Sequence, residues 1–461
     1  MSGNTNFGEG SVNKHIIRQS GPLIISQLVQ LLYNIVDRIY IGHIPGEGST
    51  ALTGLGLTFP VVSIILAFTM LFGQGGSPVF SIAMGAGDCT KASKTLSNSA
   101  FLLAAGGLVL TILLYIFMKP VLYLFGASDE TYPYAAAYLK IYIAGTIFSM
   151  VGSGLNYYIS AQGFPVIAMI TTLSGAILNI GLDPLFIFAF DMNIKGAAIA
   201  TVISQFASFI WVLRFLTRGK CEYKLQIRHM KPDGKICREI CTVGFTGFVM
   251  QFTNSATQIV CNRTLGQYGG DLYVGIMAIV SSVRDIMSVA VHAITNGAQP
   301  VLGFNYGAGK YDRVRKAIRF TFVIATAYTV LAWLLIVLFP GFFIGLFTDD
   351  TELAKESVAA LHLFFMAYIF MAFQFSGQST FMALEMNRKA IFFSLFRKVI
   401  LVIPLTILLP LFVTPAVNGV FLAEPVSNVI GGLSSFLTMY FTVYRRLKAA
   451  PPATHTPQKD R

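Results

Sequence analysis

The chain has 461 residues, of which 54% are hydrophobic and 12% charged, where a soluble domain carries about a quarter charged residues. So little charge cannot coat a water-facing surface of this size. A mean hydropathy of +0.66 agrees, which excludes a soluble globular protein and points to an all-α integral membrane protein. The net charge of +12 would suit a nucleic-acid binder, but no groove-reading module accompanies it and no such partner is expected.

Residues 1–13 are polar and lack a charged stretch followed by an apolar core, so no cleaved signal peptide is expected. From there, stretches of the size that crosses a bilayer, about 20 residues each, recur twelve times. The predicted spans are 16–41, 51–76, 95–118, 134–158, 165–190 and 195–216, then 240–264, 274–299, 317–343, 357–384, 389–412 and 417–444. In the first span Gln27, Gln30, Asn34 and Asp37 are spaced to share one helical face. Asn156 lies near the end of the fourth. In the fifth, Asn179 and Asp183 share a face, and Pro184 frees the carbonyl of residue 180 from its usual bond. The sixth adds Thr201, Ser204, Gln205 and Ser208.

A polar connection, RGKCEYKLQIRHMKPDGKICR, then divides the chain near its middle. The seventh span offers Gln251, Thr253, Asn254 and Asn262 but no acid. The eighth holds Arg284 and Asp285, together with His292, read as a packed core residue. The eleventh holds Arg397 and Lys398, and the twelfth Glu424. Asp285 is expected to pair with a base of the eleventh span. Glu424, near the repeat position of Thr201, is the acid expected to meet a cationic substrate in the second half. The five cysteines complete no metal site and are expected to be ordinary thiols.

Lys and Arg fall unevenly between the loops. The tails and even-numbered loops hold 24 of the 33, against six on the opposite side, so the positive-inside rule predicts both termini in the cytoplasm. The two halves are copies. GGSPVFSIAMGAGDCTKASK at 75–94 matches GAQPVLGFNYGAGKYDRVRK at 297–316 with a constant offset of 222: Pro78 with Pro300, Gly85-Ala86-Gly87 with Gly307-Ala308-Gly309, Lys94 with Lys316. Each repeat has six spans, so both insert the same way round, with the substrate path expected between them. The predicted organisation is an N-terminal tail to 15, an N-lobe over 16–216, a basic linker over 217–239, a C-lobe over 240–444 and a tail from 445.

A carboxylate in mid-membrane costs about 2.5–3.5 kcal/mol even on a lenient scale, so it should face a partner or a cavity. Asp37 and Asp183, joined by amides and a hydroxyl, make a set of oxygen donors suited to a hard cation such as sodium. The same buried carboxylates can also take up and release a proton. Hydroxyls and amides taken singly are as readily explained as glue between helices. The second half is not a copy here: Ile259 and Leu405 stand where Asp37 and Asp183 would repeat. The coupling ion is therefore expected in the first half alone.

NIVDRIYIG at 34–42, QGGSPVFSIAMGAGD at 74–88, ILNIGLDPLFIF at 177–188 and KGAAIATVISQ at 195–205 together resemble the multidrug and toxic compound extrusion (MATE) transporters, over about residues 14–447. The chain looks most like the bacterial DinF and MepA-type branch. It lacks the acid on the seventh helix that marks the NorM-type branch. The resemblance implies a V-shaped pair of six-helix bundles in a bacterial cytoplasmic membrane, acting as a monomer; a Walker A pattern is absent, so neither ATP nor another cofactor is expected. It implies antiport of amphipathic, often cationic, compounds against sodium or protons. Asp37, Asn179, Asp183 and Thr201 fall on the family's cation-site positions, with Asn156 close by. Gln30, Tyr33, Asn34, Gln251, Gln378, Met382 and Glu424 are the candidates for substrate contact.

Other classes fit less well. A lipid or lipid-linked oligosaccharide flippase of the wider superfamily predicts a more basic central cleft. A membrane enzyme needs a Ser–His or HExxH constellation, which is absent. A passive channel gives paired lobes with one-sided acids no purpose.

Overall fold

The computed structural model describes residues 6–45, 48–348 and 350–449; residues 1–5 and the end of the predicted C-terminal tail lie outside them. Among the described residues the regular elements are helical. They run in order α1 (Val12–Gly42), α2 (Thr50–Gly85), α3 (Cys89–Leu124), α4 (Tyr132–Ala144 with Thr146–Ala161), α5 (Pro165–Ala189) and α6 (Asn193–Arg218). The second set is α7 (234–269), α8 (Leu272–Gly307), α9 (Tyr311–Leu338), α10 (Thr351–Phe365 with Phe370–Ala383), α11 (Asn387–Leu411) and α12 (Ala416–Leu447). Eight are long and apolar enough to cross a membrane, or ten when the bent pairs α4 and α10 each count as one span. α1 and α7 have the length but carry the polar runs Gln27–Asp37 and Gln251–Asn262.

Each predicted span therefore has its helix in this multi-pass membrane protein, with the ends moved. α2 and α8 run on to the GAG motifs. α9 stops at Leu338 rather than 343: Pro340 disfavours helix in the residue before it and opens a short new helix, Pro340–Gly345. Asp350 caps the start of α10, accepting from the Glu352 and Leu353 amides at 2.9 and 3.2 Å. α3 shows the bilayer acting as solvent. Leu103, Leu110, Leu114 and Leu122 are buried, while equally apolar Leu108, Val109, Ile112 and Ile116 are exposed.

The helices form two compact units. Unit 1 takes Pro22–Phe80 and Cys89–Phe252; unit 2 takes Asn6–Gly21, Ser81–Asp88 and the chain from Thr253. The boundaries depart from those expected, because helices change allegiance along their length. The first turns of α1 and the last of α2 belong with unit 2, and the start of α7 with unit 1.

The repeat is legible in the geometry. α4 and α10 occupy the same place in each half and bend by 56° and 50°. Within unit 2, a Cβ on Gly85 would strike the Phe304 carbonyl, and one on Gly307 would strike the Ile82 carbonyl. Residues 82 and 85 are the repeat partners of 304 and 307, so the ends of α2 and α8 cross through a pair of symmetric glycine contacts. The last glycine of each motif, Gly87 (φ 74°) and Gly309 (φ 66°), takes the left-handed conformation that ends the helix. One glycine of each GAG serves the crossing and the other the turn.

Candidate cation site

α1, α5 and α6 bring the predicted residues of unit 1 together. α5 runs to Pro184, which has no amide hydrogen to give the Ile180 carbonyl, and then widens into a π turn over Leu185–Ala189. Just before that break Asn179 and Asp183 lie one turn apart. The Asn179 Nδ2 donates to Asp183 Oδ1 and to Thr201 Oγ1, each at 3.3 Å. Thr201 in turn donates to the Ala197 carbonyl at 2.9 Å. Asp183 and Asn179 are 0% and 2% exposed, Thr201 4% and Asp37 8%, so all four are withdrawn from solvent and lipid. Asp37 comes close enough to Asp183 for the two charges to act on each other.

Three buried oxygens here accept no hydrogen bond: Asp37 Oδ1, Asn179 Oδ1 and Asp183 Oδ2. Among the described residues neither acid forms an ion pair. The nearest base in sequence, Arg38, lays its guanidinium over the Phe59 ring at 4.6 Å. A buried carboxylate without a base is costly as an anion. It is stable when protonated or when it meets a cation, and the free oxygens are hard donors of the kind sodium takes.

Tyrosines missed in the sequence enclose the group. The Tyr138 hydroxyl reaches Thr201, and its ring stacks on Tyr142 with centroids 5.8 Å apart. Tyr33, expected as a substrate contact, lies instead beside Tyr142 and both acids. The available signal was the spacing of Tyr134, Tyr138 and Tyr142, four apart on α4. Asn156 does not join the cluster: its Nδ2 donates to the Ala168 carbonyl at 3.0 Å, which ties α4 to the start of α5.

The substrate candidates scatter. Gln30 and Asn34 are exposed and Gln251 is half-buried. Gln378 is buried, and its Nε2 donates to the Ala390 carbonyl at 3.5 Å; Met382 packs in the apolar core around Phe7, Phe381 and Leu302. Glu424 corrects two expectations. Its Oε1 accepts from Arg397 Nη1 at 2.8 Å and Lys398 Nζ at 3.2 Å, so two neighbouring cations enclose the acid expected to be free for a cationic substrate. Asp285, expected to neutralise a base of α11, pairs instead with adjacent Arg284 at 2.9 Å. His292 packs its ring against Phe375 with centroids 4.4 Å apart, as a core residue does.

A helical membrane protein built as two matching halves, with unpaired buried acids in the first, has the features of a membrane transporter. The MatE family model matches residues 22–185 and 247–408, once in each half, and the chain belongs to that family. It is 26% identical over 440 residues to the multidrug export protein MepA of Staphylococcus saprophyticus, covering 94% of this chain and 95% of that protein. Against MepA of Staphylococcus aureus it is 25% identical over 434 residues, covering 94% and 95%. A crystal structure of a MATE protein in complex with MaD3S superposes with a TM-score of 0.91 at 23% identity, covering 98% of this chain and all of that one.

Proposed function

We propose that the chain exports amphipathic, often cationic, organic compounds in exchange for a proton or a sodium ion bound at Asp37, Asn179, Asp183 and Thr201. The observation that carries this reading is the pair of buried carboxylates in unit 1, with unsatisfied oxygens and no paired base among the described residues. Such a pair gains most from a cation, and an ion that binds it in one conformation better than in another biases the equilibrium between them. The similarity to MepA supplies the substrate class.

The cycle is alternating access, with both termini in the cytoplasm of a bacterial cell. An ion entering from outside neutralises the acids, pulls on α1 through Asp37, and weakens the hold on the compound being released. One net charge crossing 100 mV yields about 2.3 kcal/mol, enough for a roughly fifty-fold gradient of a compound without net charge, whereas one-for-one exchange with a monovalent cation draws on the ion's concentration gradient alone. Neither ATP nor another cofactor is required, and one chain suffices.

The test is efflux of ethidium from proteoliposomes under separately imposed proton and sodium gradients, wild type beside Asp183→Asn. Gradient-driven efflux that the substitution abolishes supports the reading and names the ion. Equal movement with every gradient collapsed refutes it. A second reading, a lipid or lipid-linked oligosaccharide flippase, is favoured by one observation: the excess of buried cations around Glu424. It predicts movement of a labelled lipid and none of ethidium.

A further inference from the structure

The charged residues of unit 2 do not cancel. α8 contributes Arg284 and Asp285, α11 Arg397 and Lys398, and α12 Glu424. Three cations face two carboxylates, and they act on one another: Arg284, Arg397 and Lys398 all bear on Glu424. The inner part is built. The side chains of Arg397, Lys398 and Glu424 are only 9%, 9% and 10% exposed, and Asn428 Oδ1 holds Arg397 Nη1 at 2.9 Å. α11 passes the cluster as a π segment, Phe396–Val402, and both neighbouring bases on it are buried. The outer part is open. Arg284 is 26% exposed and bonds one oxygen of Asp285 through Nε and Nη2 at 3.1 and 2.9 Å, while Asp285 is 60% exposed.

An uncompensated cation within a membrane is costly, and Arg presents a planar fork that matches carboxylate and phosphate oxygens. We propose that this cluster binds the anionic oxygen group, carboxylate or phosphate, of an amphipathic molecule. The anion enters beside Arg284, displaces Asp285 towards solvent, and sits against the field of Arg397 and Lys398. Two sources share that chemistry: an organic compound with a carboxylate, and the headgroup of an anionic lipid. Through the export reading, on which this consequence rests, carboxylate-bearing zwitterions become better substrates than their esters, with the cationic end left for other surfaces.

Binding is measured without any gradient, so its outcome is independent of whether the chain pumps. The full chain is placed in phosphatidylcholine nanodiscs and titrated by fluorescence anisotropy with tetramethylrhodamine free acid and with its methyl ester, which differ by one carboxylate. The expected result is a preference for the acid of about tenfold, the size of one charge-assisted hydrogen bond. Arg284→Gln should erase the preference. Asp285→Asn, at a largely exposed side chain, should raise it several-fold by freeing Arg284, with the ester unmoved by either change. Unfolding temperatures of both variants check that they are folded. If phosphatidylglycerol in the disc lowers acid binding in the wild type and not in Arg284→Gln, the headgroup is an occupant; if it has no effect, the organic acid is. Equal binding of the two dyes, or binding of neither, overturns the proposal, as does a preference that both variants retain.

Discussion

The two halves descend from one six-helix design, yet they treat buried charge in opposite ways. In unit 1, Asp37 and Asp183 are buried beside amides, a hydroxyl and tyrosines, and among the described residues no base pairs with them. In unit 2, Glu424 is as buried, but Arg397 and Lys398 both hold it. The first arrangement leaves two acids without an ion pair among the described residues, which is the gap that the proposed coupling ion fills. The second answers Glu424 from within the chain, with one more cation than carboxylates across the α8, α11 and α12 cluster. On the proposed reading, a duplicated scaffold gives one half to the exchangeable ion and frees the other for a different kind of ligand.

Removing a carboxylate should therefore have opposite consequences in the two halves. Asp183→Asn is expected to abolish gradient-driven ethidium efflux, the largest effect of all. The folded protein should be as stable as wild type or more so, because an unpaired buried acid contributes desolvation cost and no ion pair. Efflux that survives the substitution would detach the coupling from unit 1. Glu424→Gln should do the reverse to stability. It strands Arg397 and Lys398 in a buried site, and breaking such a pair costs about 3–5 kcal/mol. Thermal unfolding in detergent reads both variants, and a Glu424→Gln protein as stable as Asp183→Asn would erase the contrast.

What the halves share can be tested at the same scale. Gly85→Val and Gly307→Val each force a side chain into a carbonyl of the crossing helix. Overpacking of this kind costs about 1–3 kcal/mol. The two contacts are repeat partners, so the two losses should agree, and a large disagreement in unfolding temperature would mean that the symmetry is one of sequence alone.

The difference between shared and unshared features also governs what could be read in the sequence. The spans, the repeat and the acids were legible because membrane burial permits few exceptions. A long apolar stretch is stable only in lipid or in a core, and a mid-membrane Asp is tolerated only against a partner or a cavity. Asn179 and Asp183 meet because both lie on one face of one helix, a local relation that spacing reveals. Glu424 was misjudged because its partners sit 26 and 27 residues away on another helix, and only the packing of α11 against α12 brings them together. Tyr138 was missed for a similar reason, since a tyrosine in a membrane helix is ordinary until Thr201 lies beside it. Met382 illustrates the opposite error: an adaptable side chain suits a binding surface, but here it fills a core.

The smallest effect separates the segments that lead into each half. Residues 6–10, before α1, are held on unit 2 by main-chain carbonyls: Asn305 Nδ2 to Phe7 at 3.1 Å, and Arg313 to Phe7, Glu9 and Gly10 at 2.7–3.0 Å. The linker before α7 is held on unit 1 through Asn98, whose Nδ2 reaches the His229 carbonyl at 3.3 Å and whose Oδ1 accepts the Asp233 amide at 2.8 Å. Asn98→Ala and Asn305→Ala should each cost about 1 kcal/mol locally, seen as faster proteolysis of the linker or of the N-terminal segment. Acid should distinguish them. The Lys235 and Ile236 amides and Lys94 hold the Asp233 carboxyl below its usual value, and Lys94 pairs with it at 3.5 Å. A depressed value in the folded state means a contribution that is complete above the ordinary carboxylate range, about pH 4. It is lost as pH falls further, through the folded value. The carbonyl acceptors of residues 6–10 do not titrate. Linker cleavage by an acid-active protease should therefore rise on going below about pH 4, more steeply in wild type than in Asp233→Asn, while cleavage near Phe7 should not follow it; parallel curves would show that Asp233 does not help to seat the linker.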